Sequence, residues 1–246
     1  LGIIPQGESA EGDLVVSLGS YVISRLPVKV SNYLDLSDIP GLEKYTGFYY
    51  HEEDETWYYV ENGKVYVNKT DIVKGTVDGE DGWWYVKNGK VAFEDTVAQN
   101  SNGWWRVEDG KVNLEFNGFA ENKNGWWYIS GGKVAFETTD ILQGIVNGIS
   151  GWWYVKEGKV NFTDTVAQNH NGWWYISNGR VDFDHYGVEQ NSNGWWRIEA
   201  GKVNFNFNGF AENSNGWWYL SGGKVQFGIT DVIQGTVNSE TGWWYV

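Results

Sequence analysis

Apolar and polar residues alternate over short runs from about residue 47 to the end of the chain. A typical run is Asp81–Phe93, with the sequence DGWWYVKNGKVAF, in which two tryptophans, a tyrosine and a valine precede a polar turn and a second apolar stretch. Period-two alternation over so few residues predicts β-strands, and a glycine between two such strands predicts a hairpin. The pattern therefore predicts an all-β chain built from hairpins.

The tryptophan doublet of this run recurs at nearly constant spacing. Eight doublets begin 21, 22 or 26 residues apart, at Trp83, Trp104, Trp126, Trp152, Trp173, Trp195, Trp217 and Trp243, and the single Trp57 lies 26 residues before the first. Each 26-residue step contains an insert that begins at Thr70, Thr139 or Thr230. A fixed period of this length indicates tandem repeats that bury surface against their neighbours. We expect an elongated, solenoid-like array of hairpins, with the 26-residue repeats as wider or bent steps.

The length of the turn decides which tryptophan of a doublet is buried. With a two-residue turn at Asn88–Gly89, Val86 faces Val91 and Trp84 faces Phe93, so these four side chains share one face. The equivalent positions stay apolar in the other repeats, whereas a slip of one residue would mix apolar and polar positions. We therefore predict the two-residue register, with the second tryptophan of each doublet in the core and the first on the opposite face.

Two turns carry residues that suit this geometry poorly. A two-residue type I′ turn needs positive φ at both central positions, which favours Asn, Asp and Gly. Glu157 and Ala200 stand directly before the turn glycines Gly158 and Gly201. For these two repeats the sequence predicts a three-residue loop with a glycine bulge.

Composition divides the chain once. All three prolines precede residue 47, and every tryptophan follows residue 56. We predict an N-terminal cap, or the tail of a preceding domain, over residues 1–46, and tandem Trp-rich β-hairpin repeats over 47–246. The last repeat stops at Val246, after GWWYV and before its turn, so we expect the array to be truncated at its C-terminus.

Charge and motif content exclude several functions. The formal net charge of −14 disfavours nucleic acid as a partner, and no apolar run approaches the roughly 20 residues of a membrane span. There is no cysteine, and the three histidines belong to no catalytic motif. We expect a chain that is not an enzyme and that has no cofactor and no bound metal.

The first tryptophans and the tyrosines two residues after them are the candidate ligand-binding groups. Their rings could stack on sugars or enclose a quaternary ammonium, although packing between neighbouring hairpins is the commoner use of such residues in repeat arrays. A row of Lys or Arg follows each turn glycine and could bind an anionic polymer or simply cover the hairpin rim. The aromatic candidates are Trp83, Tyr85, Trp104, Trp126, Tyr128, Trp152, Tyr154, Trp173, Tyr175, Trp195, Trp217 and Tyr219.

The segment TWYYVENGKV, Thr56–Val65, and each GWWYV…GKV resemble the aromatic β-hairpin repeats of Gram-positive surface proteins, the choline-binding and glucan-binding cell-wall repeats. The resemblance implies a β-hairpin solenoid that docks on wall teichoic acid, glycan or choline through aromatics between successive hairpins. Family repeats usually open with an additional Gly-Trp that helps to build the choline cage. Here that place is taken by segments such as KGT at Lys74 and DTV at Asp95. This departure favours glycan recognition or surface attachment over choline.

Two classes of function fit these features. The first is a non-catalytic cell-wall or glycan-binding repeat module of a secreted or surface bacterial protein, with wall glycan or teichoic acid as its partner. The alternative is an adhesin-like rigid scaffold whose aromatic flank binds a host or bacterial protein, because exposed aromatic rows also suit protein interfaces.

Overall fold

The computed structural model describes residues 9–246, and within these residues it contains antiparallel β-strands and no helix. The prediction of an all-β array of tandem hairpins is confirmed. Strands β1 (Ser9–Leu18) and β2 (Tyr21–Ser31) form a hairpin, and β3 (Tyr33–Asp35) follows. No helix in the described residues is long and apolar enough to cross a membrane.

Each repeat consists of a first strand, a second strand that carries the tryptophans, and a short third strand. The first strands are β4 (Gly47–His51), β7 (Asp71–Val77), β10 (Thr96–Asn100), β13 (Gly118–Asn122), β16 (Asp140–Val146), β19 (Thr165–Asn169), β22 (Gly187–Asn191), β25 (Gly209–Asn213) and β28 (Val232–Val237). The second strands are β5 (Thr56–Val60), β8 (Glu80–Lys87), β11 (Gly103–Glu108), β14 (Gly125–Ser130), β17 (Ile149–Lys156), β20 (Gly172–Ser177), β23 (Gly194–Glu199), β26 (Gly216–Ser221) and β29 (Glu240–Tyr245). The third strands are β6 (Lys64–Tyr66), β9 (Lys90–Val91), β12 (Lys111–Val112), β15 (Lys133–Val134), β18 (Lys159–Val160), β21 (Arg180–Val181), β24 (Lys202–Val203) and β27 (Lys224–Val225).

The predicted register of the glycine turn is confirmed. Val86 pairs with Val91 and Lys87 with Lys90, which leaves Asn88 and Gly89 as the two turn residues, at φ of 54° and 78°. Both values are positive, as a type I′ turn requires.

The prediction of three-residue loops at Glu157 and Ala200 is wrong. Val155 pairs with Val160, and Glu157 adopts the same positive φ, 52°, as asparagine does elsewhere; Ala200 does so at 48°. The cause is the contact with the neighbouring repeat. The carbonyl of Gly158 accepts a hydrogen bond from the N–H of Tyr128 at 2.8 Å, and this contact fixes the turn regardless of its first residue.

The main partner of each tryptophan strand is the strand before it. In a 21-residue repeat, five pairs join β10 to β11, from Thr96 opposite Val107 to Asn100 opposite Gly103. In a 26-residue repeat, seven pairs join β7 to β8, from Asp71 opposite Val86 to Val77 opposite Glu80. The wider steps expected from the sequence are therefore longer hairpins. We call the two repeats with seven pairs, β7–β8 and β16–β17, long repeats and those with five pairs short repeats; the last repeat, β28–β29, has six pairs and belongs to neither class.

The phenylalanine position after the turn does not belong to the core, contrary to the prediction from register. Phe93 is 53% exposed, whereas Trp84 is 5% exposed and Val86 is fully buried. Only two residues of the third strand pair with the second, because the place opposite Trp84 is taken by Lys111 of the next repeat. The equivalent Val67, Leu114, Phe136, Phe162, Phe183, Phe205 and Phe227 are exposed as well.

The chain divides into two compact units. The first runs to Phe116 and includes Gly131–Lys133, and the second comprises Asn117–Ser130 and Val134–Val246. Within each unit, successive repeats are joined by a backbone hydrogen bond from the residue after the doublet to the next turn glycine, for example Tyr85 N–H to the Gly110 carbonyl at 2.8 Å. The predicted elongated shape remains a prediction.

The segment before the first repeat makes the same contact that repeats make with one another. Strand β3 pairs with β6, and the N–H of Leu36 donates to the Gly63 carbonyl at 2.8 Å. Leu36 and Leu42 pack with Val60 and Val65 of the first repeat. Residues 33–42 thus cover the first repeat, while the domain boundary at residue 47 stays a prediction.

Candidate functional site: two aromatic clefts

The second tryptophan of a short repeat is held by the asparagine turn before it. The Oδ1 of Asn100 accepts hydrogen bonds from the backbone N–H of Asn102 at 2.9 Å and from the indole N–H of Trp105 at 3.0 Å. The same pair of bonds recurs at Asn122, Asn169, Asn191 and Asn213. The asparagine side chain before each turn therefore holds the indole ring of the tryptophan that lies five residues later.

Long repeats lack this asparagine. Gly75 and Gly144 pair with Gly82 and Gly151 inside the longer hairpins. The indole nitrogens of Trp84 and Trp153 are buried without a hydrogen-bond partner in the described part of the chain. The two kinds of repeat therefore hold their second tryptophans differently, the short ones by a hydrogen bond and the long ones by apolar packing.

A lysine from the following repeat covers the second tryptophan. Lys133 pairs with Trp105 through the backbone, and its Nζ lies 5.1 Å from the centre of the indole ring. Its aliphatic stem crosses Gly103, where any side chain would collide with it. Lys64, Lys90, Lys111, Lys159, Lys202 and Lys224 lie over an aromatic ring in the same way, at 4.5 to 5.5 Å. The lysine row of the sequence is thus a set of cation–π contacts between successive repeats.

Two first tryptophans of short repeats pack on the next repeat. The ring centres of Trp173 and Trp196 are 5.2 Å apart, and those of Trp195 and Trp218 are 6.2 Å apart. Trp173 also contacts Phe205 edge-on at 6.0 Å. These distances are those of favourable aromatic pairs, so both rings contribute to the contact between repeats.

The first tryptophans of two long repeats line open clefts. We call cleft 1 the cavity of about 370 Å³ lined by Ile72, Trp83, Asn100, Asn102, Trp105, Val112, Leu114 and Lys133, which lies within the first unit. Cleft 2 has a volume of about 420 Å³, lies within the second unit, and is lined by Ile141, Trp152, Asn169, Asn171, Trp174, Val181, Phe183 and Lys202.

The two clefts are copies of one site. Each lining residue of cleft 2 stands 69 positions after its counterpart in cleft 1, and only Leu114 changes in kind, to Phe183. No ring pair joins Trp83 to Trp105 or Trp152 to Trp174 among residues 9–246, so the space between repeats is not closed by stacking as it is at Trp173. Both volumes lie within the usual range of small-ligand pockets.

The remaining candidates from the sequence have identifiable neighbours. Tyr85 and Trp105 pack against a buried cluster of Ile72, Ala98 and Val107. Trp152, Tyr154 and Trp174 pack against a buried cluster of Ile141, Ala167, Ile176 and Val181. The indole N–H of Trp126 donates to Asn147 at 2.9 Å. Tyr128 and Tyr219 contact Phe119 and Phe210, Tyr175 stacks on His185 with ring centres 4.0 Å apart, and Trp104 and Trp217 are half-buried.

Two polar grooves lie elsewhere in the second unit, and both are larger than either cleft. A groove of about 650 Å³ contains Tyr175 and Trp195, and one of about 430 Å³ contains Tyr154 and Trp173. Burial, followed by the charge of Glu189, raises the pKa of Tyr175 above its ordinary value. In both grooves the tryptophan pairs with a tryptophan ring of the next repeat, a ring pair that Trp83 and Trp152 do not make with the second tryptophan of the next repeat among residues 9–246.

Sequence reasoning missed half of each cleft. It placed Trp105 and Trp174 in the core, yet both are half-buried and line a cleft, and it named none of the asparagines that line the clefts; only the lysines belong to a row that it had considered for binding. The available signal was the 26-residue step, because each cleft forms between a long repeat and the short repeat after it. The ligand-binding role of the twelve aromatic candidates stays a prediction.

Comparison with known families agrees with this architecture. A model of the choline-binding repeat matches residues 44–65, 72–92, 94–113, 115–135, 143–161, 162–182, 187–204, 206–226 and 234–246. These segments make up most of the chain, which therefore belongs to the choline-binding repeat family. The resemblance noted from the sequence is thereby confirmed.

Solved structures that are similar to this chain include those of two proteins from Streptococcus pneumoniae. Choline binding protein F is 20% identical, with a TM-score of 0.34, over 78% of this chain and 67% of that one. The modular autolysin LytC, solved with a synthetic peptidoglycan ligand, is 11% identical, with a TM-score of 0.37, over 80% of this chain and 46% of that one. The present chain thus spans less than half of LytC. No curated protein matches the sequence.

Proposed function

We propose that this chain is a non-catalytic cell-wall-binding module whose clefts 1 and 2 hold wall saccharides. The observation that carries the proposal is the repetition of one complete lining, with two indoles, two asparagines and an aliphatic floor, once in each compact unit. Indole faces suit the apolar faces of sugar rings, and amide groups suit their hydroxyls.

Family membership supports a wall polymer as the partner. Such a partner implies a protein secreted by, or displayed on, a Gram-positive bacterium. The side-chain amides of Asn102 and Asn171 also support a saccharide ligand, because they make no hydrogen bond within the described residues and are available to a ligand hydroxyl. The structure holds these groups beside the indoles before any ligand arrives, which reduces the ordering cost of binding.

Co-sedimentation with purified Gram-positive cell walls tests the proposal. The wild-type chain is expected to sediment with intact walls and with walls stripped of teichoic acid, because the clefts bind saccharide. The double variant Trp83→Ala/Trp152→Ala is expected to lose most of this binding. Trp243→Ala is the control, since this ring is 69% exposed and lines neither cleft.

Four results would count against the proposal in different ways. Failure of the wild type to sediment with any wall preparation would contradict it, and capture of a protein partner under the same conditions would support the scaffold alternative. Sedimentation with intact walls alone would assign the ligand to teichoic acid. Equal sedimentation of all variants would show that the clefts are not the site.

A further inference from the structure

The lysine of each cleft occupies the position over the indole face where a cationic ligand would bind. Lys133 Nζ lies 5.1 Å from the Trp105 ring centre, and Lys202 Nζ lies 4.9 Å from that of Trp174. A quaternary ammonium is attracted to an indole face within about 6 Å of its centre by the same ring quadrupole. In each cleft, the chain's own ammonium therefore already covers one of the two indoles.

The charge of these two lysines is not neutralised by the chain. Lys111 holds the same position over Trp84, but its Nζ is 2.9 Å from Glu80 Oε2. Lys133 and Lys202 have no carboxylate partner in the described part of the chain, and the linings of clefts 1 and 2 contain no acidic residue. Each cleft consequently carries one uncompensated positive charge.

The negative charge of the whole molecule does not reverse this local preference. The formal net charge is −14, but charges at the surface are screened beyond about 8 Å at physiological ionic strength. A ligand seated in a cleft is much closer than this to the lysine, so the contact with the ammonium dominates the selection of the bound group.

We propose that Lys133 and Lys202 determine the ligand class of clefts 1 and 2, excluding quaternary ammonium groups and favouring a sugar ring that bears a carboxylate. The inference rests on the proposed function and specifies its ligand. The sugar ring stacks on Trp83 or Trp152, a hydroxyl group binds the amide of Asn102 or Asn171, and the carboxylate pairs with the lysine.

The test is isothermal titration calorimetry with three probes, namely choline, chitobiose as a neutral disaccharide, and digalacturonic acid as an acidic one. For the wild type, the expected order of affinity is digalacturonic acid, then chitobiose, then choline. The variant Lys133→Met/Lys202→Met retains an apolar stem over Gly103 and Gly172 but loses the charge. Its affinity for the acid is expected to fall about two- to five-fold and its affinity for choline to rise by a similar factor.

Lys111→Met/Lys159→Met is the matched control. These lysines lie over Trp84 and Trp127 at 5.5 and 5.4 Å and line neither cleft, so their removal is expected to leave all three affinities unchanged. Trp83→Ala/Trp152→Ala is expected to abolish the response to both sugars, which locates binding in the clefts.

Several results would overturn the inference. These are tighter binding of choline than of digalacturonic acid by the wild type, equal affinities in the wild type and in Lys133→Met/Lys202→Met, or equal effects of the control variant. Binding of none of the three probes, with wall sedimentation retained, would overturn the ligand class and leave the proposed function standing. Loss of wall sedimentation in the wild type would instead remove the proposed function itself.

Discussion

At the scale of single residues, the two tryptophans of a doublet differ because strand alternation sends them to opposite faces. The buried member of a short repeat needs a partner for its indole N–H, since a buried polar group without one carries a desolvation cost. Asn191 meets this need for Trp196, accepting its N–H at 2.9 Å, and also accepts the N–H of Asn193 at 2.9 Å. The turn asparagine is therefore part of the core and not only a turn former.

Replacement of this asparagine tests its role. Asn191→Ala removes both acceptor contacts and leaves the Trp196 N–H without its partner, so we expect a loss of about 1–3 kcal/mol in the free energy of unfolding. Asn193→Ala is the control, because the Asn193 side chain is exposed and makes no hydrogen bond among the described residues. Urea denaturation of the two variants measures the difference, and equal midpoints would contradict a specific role for Asn191.

At the scale of the element, the sequence predicts the turn well and the hairpin poorly. Asn-Gly pairs between apolar runs indicate a type I′ turn, and the Val86–Val91 pairing follows from that signal. The hairpin between the first and second strands was not predicted, because first strands such as TVAQN, Thr96–Asn100, are short and weakly alternating. Phe93 was misplaced because the third strand leaves its partner to bind the neighbouring repeat, a tertiary effect that no local pattern encodes.

The turn glycine next to a neighbouring repeat is expected to tolerate no side chain. Gly158 has φ of 75°, and a Cβ there would lie 2.8 Å from the Ala135 carbonyl oxygen. Gly148 has nearly the same φ, 73°, but a Cβ there would meet nothing within 4 Å. Gly148→Ala should therefore cost only about 1–2 kcal/mol for the left-handed backbone, and Gly158→Ala should cost at least about 2 kcal/mol more because the backbones must separate.

Thermal melts of Gly148→Ala and Gly158→Ala give this comparison directly, since the backbone conformation is matched and only the packing differs. Similar melting temperatures for the two variants would mean that the contact between repeats at Gly158 contributes little, and that positive φ alone accounts for the glycine.

At the scale of the whole molecule, two compact units carry one cleft each, built from residues 69 positions apart. The tandem repeats and their family were predictable from the spacing of the doublets. The position of the clefts was not, because it depends on whether a first tryptophan reaches the ring of the next repeat. Trp173 does so at 5.2 Å from Trp196, whereas Trp152 packs on the apolar cluster around Ile141 and leaves cleft 2 open beside it. The repeat length thus distinguishes the two kinds of first tryptophan in the sequence, but only the structure shows which of them line a cleft.

We predict that first tryptophans of long repeats bind ligand while those of short repeats hold the array together. Wall binding and thermal stability measured on the same two double variants separate these two roles. Trp83→Ala/Trp152→Ala should lose wall binding at a small cost in stability, and Trp173→Ala/Trp195→Ala should keep wall binding but lose at least about 2 kcal/mol per site, as truncation of packed aromatics does. Equal loss of stability in both variants, or loss of binding in the second variant alone, would show that the two sets of tryptophans do not divide these roles.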